Sequence, residues 1–279
     1  MVRLIVDSAS DMPLAMQKEL DILSVPLQVT VGEHHFKDWV DMTPEKLYAW
    51  LEKEPIVPVT SQPATKDWNT VLDGCRERQE DVLILTLSSG LSGTYSGAVL
   101  AVADYQDLNI EVVDARTASL GVTIIAAELA KQQAKGATLS ELVALFHDLN
   151  RRIHTYVVVG NMEMLKRGGR VSATAAALGT MLNIKPILLV NQKGLLEPAD
   201  KVRGWKKAKA YLLKQFEQHA DPEFTFGVAH GANEKDMEEL AEAMQDIYPQ
   251  SSLIRMQIGA VIGSHVGPGT VGMVFFDKK

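Results

Sequence analysis

Val82-Leu-Ile-Leu-Thr-Leu-Ser-Ser-Gly-Leu-Ser-Gly-Thr-Tyr-Ser96 is the stretch that decides the fold class. Its first six residues are apolar or β-branched without alternation, the pattern of a strand covered on both faces. A cluster of serines and glycines follows, and a helical pattern then runs over Thr94–Ala103. Strand, glycine-rich turn and helix in succession form the repeating unit of α/β proteins.

The same alternation extends in both directions. Strands are expected at Arg3–Val6, Val82–Leu87, Ile110–Val113, Tyr156–Val159, Pro186–Val190, Phe224–Ala229, Ser252–Gln257 and Val271–Phe276. Helices are expected at Pro44–Lys53, Lys66–Arg78, Thr94–Ala103, Ser119–Ala134, Ser140–Asn150, Ser172–Leu182, Trp205–His219 and Glu234–Ile247. Val25–Val31 and His34–Trp39, joined by Gly32-Glu33, read as a β-hairpin. The expected architecture is two α/β domains with mainly parallel sheets and a ligand cleft between them. The boundary falls at Arg152, giving domains 1–152 and 153–279: two consecutive helices end there and the charge balance changes sign.

The 279 residues are 46% hydrophobic and 23% charged, a balance that excludes a disordered or fibrous chain. The net charge of −7 argues against a nucleic-acid partner. Cys75 is the only cysteine, so neither an intramolecular disulfide nor a cysteine-rich metal site can form. Asp7 ends the first apolar run too early for a signal peptide, and no stretch approaches the ~20 apolar residues of a spanning helix. A soluble, cytoplasmic protein with no integral membrane segment is expected. Within the acidic chain, residues 164–209 are basic: Lys166, Arg167, Arg170, Lys185 and Arg203, with further lysines, face only Glu197 and Asp200. A local positive field of this kind suits one specific anionic partner, although Lys206, Lys207 and Lys209 read more simply as a solvated helix face.

Several turns carry candidate chemistry. In the opening stretch, Ser92, Gly93 and Thr94 stand where a helix begins, so hydroxyls, backbone N–H groups and the helix dipole converge on an anion seat. Ser92 does not fit the hydrolase elbow G-x-S-x-G, because Thr94 occupies the final glycine position. Gly267-Pro-Gly-Thr-Val-Gly272 has dinucleotide-fingerprint spacing, but it runs into a strand near the chain end instead of opening a helix. His265 is expected in a glycine-rich turn, free to bond an anion or a serine. Val59-Thr60-Ser61-Gln62-Pro63 is a third hydroxyl-rich turn, and Gly168-Gly169-Arg170 leaves an arginine accessible to an anion. The remaining histidines lack metal-ligand spacing, so no metal is expected.

Taken in order, Ile5-Val-Asp-Ser8, Thr60-Ser-Gln-Pro63, Leu91-Ser-Gly-Thr-Tyr95, Val113-Asp-Ala-Arg-Thr-Ala-Ser119, Gly168-Gly-Arg-Val-Ser172 and His265-Val-Gly-Pro-Gly269 resemble the DegV family. That family includes the FakB fatty-acid-binding subunits of bacterial fatty acid kinase, and the resemblance spans the chain. It implies a carrier, without a catalytic constellation or cofactor of its own, that holds one long-chain fatty acid between its domains. The carboxylate would sit on Thr60, Ser92 and His265, with Ser61, Gly93 and Thr94 lining the seat and the acyl chain in an apolar tunnel. Arg170 and Arg203 match basic positions used with a kinase that phosphorylates the bound acid to an acyl phosphate. The stretch after Arg203 departs from the family, since Trp205 stands where basic residues are usual. Two other readings remain: a Ser/His hydrolase or acyltransferase using Ser92 and His265, and a sensor of another small anion.

Overall fold

The computed structural model describes residues 2–53, 57–170 and 183–278. Strands β1 (Val2–Asp7), β2 (Ile22–Val25), β6 (Asp81–Thr86) and β7 (Ile110–Asp114) form a sheet in the order β2-β1-β6-β7 with every pairing parallel. A small antiparallel sheet, β4-β3-β5, joins β3 (Gln28–Val31), β4 (His34–Lys37) and β5 (Val59–Ser61). The hairpin expected from Val25 is therefore shorter: Pro26 separates Val25, which belongs to β2, from the β3–β4 pair.

The second large sheet contains β8 (Ile153–Val158), β9 (Ile184–Val190), β10 (Leu196–Arg203), β11 (Phe226–Gly231), β12 (Leu253–Gln257) and β13 (Thr270–Phe276). Its order is β10-β9-β8-β13-β11-β12, and only the β11–β12 pairing is parallel. The parallel expectation thus holds for the first sheet and not for the second. Continuous apolar runs report burial on both faces, and an antiparallel strand covered on both faces reads the same way. Strand β10 has no counterpart among the expected strands. It is a polar edge strand with Pro198 at a register shift, the composition by which edges are blunted.

Between the two large sheets lies helix α5 (Leu120–Gln133), buried from Leu120 through Ala130. It packs on β1, β11 and β13, which explains why its sequence is apolar nearly all round. Helix α6 (Leu139–Arg152) follows, opened by a capping box between Thr138 and Glu141. Leu4, Leu83, Ile124, Ile125, Leu142, Phe146 and Phe276 join both sheets and both helices in one core. Helices α3 (Thr65–Glu77) and α4 (Thr94–Val102) cover the outer face of the parallel sheet through Trp68, Leu72 and Ala98. Helices α8 (Trp205–His219) and α9 (Glu234–Ile247) cover the mixed sheet through Leu212, Phe216, Leu240 and Met244.

Four further α-helices are α1 (Leu14–Glu19), α2 (Pro44–Lys53), α7 (Met162–Arg167) and α10 (Ala260–Val266), and a 3-10 turn spans Ser8–Ser10. The helix expected at Ser172–Leu182 lies outside the described residues.

Candidate functional site

Three buried aspartates anchor the elements that converge on the gap between the sheets. At the carboxyl end of β1, Asp7 accepts hydrogen bonds from the N–H groups of Ala9 (3.0 Å) and Leu87 (2.7 Å), fixing where the chain leaves β6. Ser8 donates to Asp38 (2.7 Å), and the Asp38 carboxyl faces the backbone N–H groups of Ala260 and Val261 at the start of α10. Asp11 receives the Ser119 hydroxyl at 2.5 Å and faces the backbone N–H of Gly259. Burial pushes the Asp7 and Asp38 carboxyls up to about 7, while burial and the neighbouring Asp38 raise Asp11 well above the usual range. The Ile5-Val-Asp-Ser8 motif is therefore an anchor for α10 and the β6–α4 loop.

That loop is braced from a second side. Asp114 accepts from the Ser89 N–H (3.1 Å) and hydroxyl (2.5 Å), the Ser88 N–H donates to the Thr117 carbonyl (2.8 Å), and the Ser88 hydroxyl donates to the Gly194 carbonyl (2.8 Å). The loop so held ends at Ser92, whose hydroxyl is 2.9 Å from the Thr94 hydroxyl and accepts the Thr94 N–H at 3.3 Å. Gly93 is the first residue before α4 and has no side chain with which to cap that helix end.

His265 lies in the last turn of α10, and not in an irregular turn as expected. The glycines that suggested a turn end the helix. Gly267, at φ 73°, is its C-cap, and a Cβ there would meet Met164 Sδ at 2.7 Å. From this rigid position the His265 Nε2 meets the Thr60 hydroxyl of β5 at 2.7 Å. Gly168 makes room for the ring, since a Cβ on it would stand 2.3 Å from His265 Nδ1. That Nδ1 is buried without a hydrogen-bond partner among the described residues. Burial, and after it the nearby Arg170 charge, push the imidazole down to about 4, so the ring is neutral at ordinary pH.

Arg170 donates to the carbonyls of Leu91 (3.1 Å) and Gly168 (2.5 Å). Its guanidinium therefore stands at the hydroxyl cluster and not on a separate docking face. Arg203 is the last residue of the edge strand β10, exposed and away from this cluster. The basic segment is split in the same way: Lys209 pairs with Glu239 at 3.2 Å, while Lys206 and Lys207 form the solvated face of α8.

Thr60, Ser61, Ser92, Gly93, His265 and Arg170 all line one cavity of about 320 Å³, and Thr94 is buried behind Ser92. Most of the remaining wall is apolar: Leu27, Leu87, Leu120, Leu165, Val190, Leu196, Ile258, Val261, Val274 and others from both sheets and from α10. The volume falls within the ~300–1,000 Å³ range of small-molecule sites. A cluster of hydroxyls, one guanidinium and one neutral imidazole against an apolar void suits an amphiphile with an anionic head.

As a nucleophile–base pair the same residues are poorly arranged. Ser92 is paired with Thr94, His265 with Thr60, and no described carboxylate orients the imidazole.

Two wall residues escaped sequence reasoning. Gln62 packs against Gly93 and Gly97 and lines the cavity. Ser119 lines it too, held on Asp11 with φ 53° and ψ −132°, a backbone conformation that non-glycine residues rarely adopt. A serine preceding a helix reads as an ordinary cap, so only the tertiary contact with Asp11 reveals it.

A second cleft of about 550 Å³ lies behind this cavity, and Thr155 and Val190 line both. Its walls include Glu111, Asp114, Arg116, His147, Arg151, His154 and Glu197. Among the described residues no histidine, cysteine and carboxylate cluster has the form of a metal site, and no helix is long and apolar enough to cross a membrane.

The chain is similar to known proteins over its whole length. A protein of Thermotoga maritima named a fatty acid-binding protein is 34% identical over 279 residues, covering 96% of its length and 97% of this chain. The solved structure of a fatty-acid-binding DegV-family protein from Thermus thermophilus superposes with a TM-score of 0.90 at 31% identity and covers 99% of both chains. A DegV lipid-binding protein from Thermotoga maritima superposes with a TM-score of 0.88 at 33% identity, covering 100% of this chain and 99% of its own. The DegV family model matches residues 1–278 of this chain, so with these residues and this fold the chain belongs to the DegV family.

Proposed function

We propose that this protein is a carrier that binds one long-chain fatty acid and presents it to a separate kinase for phosphorylation to an acyl phosphate. The observation that carries the reading is the joining of two hydroxyl pairs, Thr60–His265 and Ser92–Thr94, to one apolar cavity. The acyl chain fills that cavity, between an amino-terminal lobe (1–152) and a carboxyl-terminal lobe (153–279). A sixteen-carbon acid has roughly fourteen methylenes, and burying them at ~0.8 kcal/mol each contributes roughly 11 kcal/mol before the cost of immobilising the ligand. The tail supplies the affinity, and the head must only avoid being desolvated without partners.

The seat meets that need. In its Nε2–H tautomer the neutral His265 donates to Thr60, which frees the Thr60 hydroxyl proton for the carboxylate. Ser92 supplies a second hydroxyl, with Ser61, Gly93 and Thr94 around it, and Arg170 adds the only positive charge among the described residues that line the cavity. Hydroxyl donors hold a carboxylate without locking it in a fork–fork ion pair, which leaves its oxygens open to phosphoryl transfer. Arg203, exposed at the sheet edge, serves the kinase, and the carrier works in the cytoplasm beside that enzyme.

Mass spectrometry of the purified protein under native conditions, followed by its organic extract, tests the reading. One fatty acid per chain is expected, and a protein that neither retains nor rebinds any fatty acid overturns it. Ser92-dependent turnover of a chromogenic ester would favour the hydrolase instead. Addition of a bacterial fatty acid kinase and ATP is expected to yield acyl phosphate, at a rate that falls with salt and on Arg203→Ala.

A further inference from the structure

The floor of the cavity is the inner face of the mixed sheet, and one row of side chains across it leaves open space at its glycine, where the glycines of the neighbouring rows, Gly227 and Gly231, are crowded. Leu188, Val157, Gly272, Ala229 and Met256 lie side by side on adjacent strands in register. The row is bulky at both ends and nearly bare in the middle. Gly272 and Ala229 are the two middle positions, and both line the cavity. A Cβ at Gly272 would find only the Tyr156 carbonyl, at 3.8 Å, so the direction its side chain would take is open space. Glycine in the interior of a strand weakens it and often marks a place where another group must approach closely. The opposite face of β13 shows the contrast: Val271, Met273 and Phe275 are large, fully packed and belong to the core beneath α8 and α9.

We propose that the Gly272–Ala229 notch receives the distal part of the acyl chain and so sets the length of acid this protein accepts. The inference rests on the fatty-acid reading above and adds to it a length determinant on β11 and β13, strands that carry none of the seat residues. With the notch bare, a long straight chain lies across the sheet. Filling it removes room for the distal methylenes and leaves the seat untouched, and each methylene excluded weakens binding by about fourfold.

The test measures dissociation constants of octanoate, laurate, palmitate and stearate for the delipidated wild type and for Gly272→Leu and Gly272→Ala. Wild-type affinity is expected to rise with length through palmitate. In Gly272→Leu, palmitate should weaken by at least about tenfold while octanoate stays within about threefold. Gly272→Ala, whose added methyl meets no clash, should fall between the two and keeps the test valid if the leucine variant does not fold.

A folded Gly272→Leu that binds palmitate like the wild type, or that loses all four acids alike, overturns the length assignment and leaves the carrier reading standing. A wild type that binds none of the four overturns the carrier reading itself.

Discussion

The two cavities that meet at Thr155 and Val190 share a wall and little else. The cleft behind is the larger, about 550 Å³ against about 320 Å³. Charged and imidazole groups ring it: Glu111, Asp114, Arg116, Arg151, His147 and His154. Such groups favour water, so occupation by an alkyl chain would strip hydration from charges for no compensating bond. The smaller cavity has apolar walls and gathers its polar atoms into one cluster around Thr60, Ser92, His265 and Arg170. The difference teaches that capacity for a lipid comes from how polar atoms are distributed over a cavity, and not from its size.

The largest expected effect separates the two cavities outright. Thr60→Ala combined with Ser92→Ala should weaken fatty-acid binding by ~2–4 kcal/mol, at one to two kcal/mol per lost bond. Titration of a fluorescent fatty acid into the folded double variant measures it, and unchanged affinity would break the comparison by moving the head group elsewhere.

Next comes a pH effect that belongs to the apolar cavity. The folded imidazole of His265 is depressed to about 4 from 6.5, so between those values the unfolded chain binds a proton that the native chain does not. The stability associated with neutral His265 is therefore complete above pH 6.5 and lost as pH falls towards 4, by about 3 kcal/mol in all. Asp7 and Asp38, raised to about 7, act in the opposite direction: their burial costs nothing at acid pH and destabilises the fold as pH rises towards 7. Denaturant melts of delipidated wild type and His265→Gln isolate the first contribution, because the aspartates are common to both. Their difference curve should rise from pH 4 to 6.5 and then flatten; a flat curve throughout would show that the imidazole stays solvated.

A third expectation sets two arginines against each other. Arg170, whose guanidinium bridges the Leu91 and Gly168 carbonyls beside His265, should cost ~1.5–3 kcal/mol of fatty-acid affinity when changed to alanine. Arg203→Ala, at an exposed strand end, should stay within ~1 kcal/mol. Equal losses in isothermal titration would erase the distinction between seat and surface.

The smallest effect sharpens the comparison from the other side. His147→Ala, in the polar cleft, should leave fatty-acid affinity within ~0.5 kcal/mol, as for a surface change away from special features. A larger loss in the same titration would mean that the acyl chain enters the cleft.

Much of this is legible in the amino-acid sequence. The strand–turn–helix of Val82–Ser96 identified the fold class because strand burial, glycine turns and helix starts all act over a few residues. The polar cluster of the cavity is legible as three separate hydroxyl- or histidine-bearing segments, although Thr60, expected in a turn, lies in β5 because Val59–Ser61 pairs with β3. Arg170 was read as a partner residue because its nearness to His265 arises from Gly168, whose missing Cβ admits the ring. His265 was read as a turn residue because the glycines that terminate α10 resemble loop glycines in sequence. Strand β10 escaped because an edge strand with Pro198 and charged residues lacks the apolar signature of a buried one.

The sequence by itself determined the α/β class, most helix positions, the helix that becomes α5 and several of the polar residues that meet in the cavity. Those properties follow from local periodicity and from residue chemistry. Only the tertiary structure decided that the second sheet is mainly antiparallel, that Asp11 and Asp38 anchor the start of α10, and that Gly272 and Ala229 hollow the floor of the cavity. Each of these depends on which residues distant in the chain become neighbours, and local propensity carries no record of that pairing.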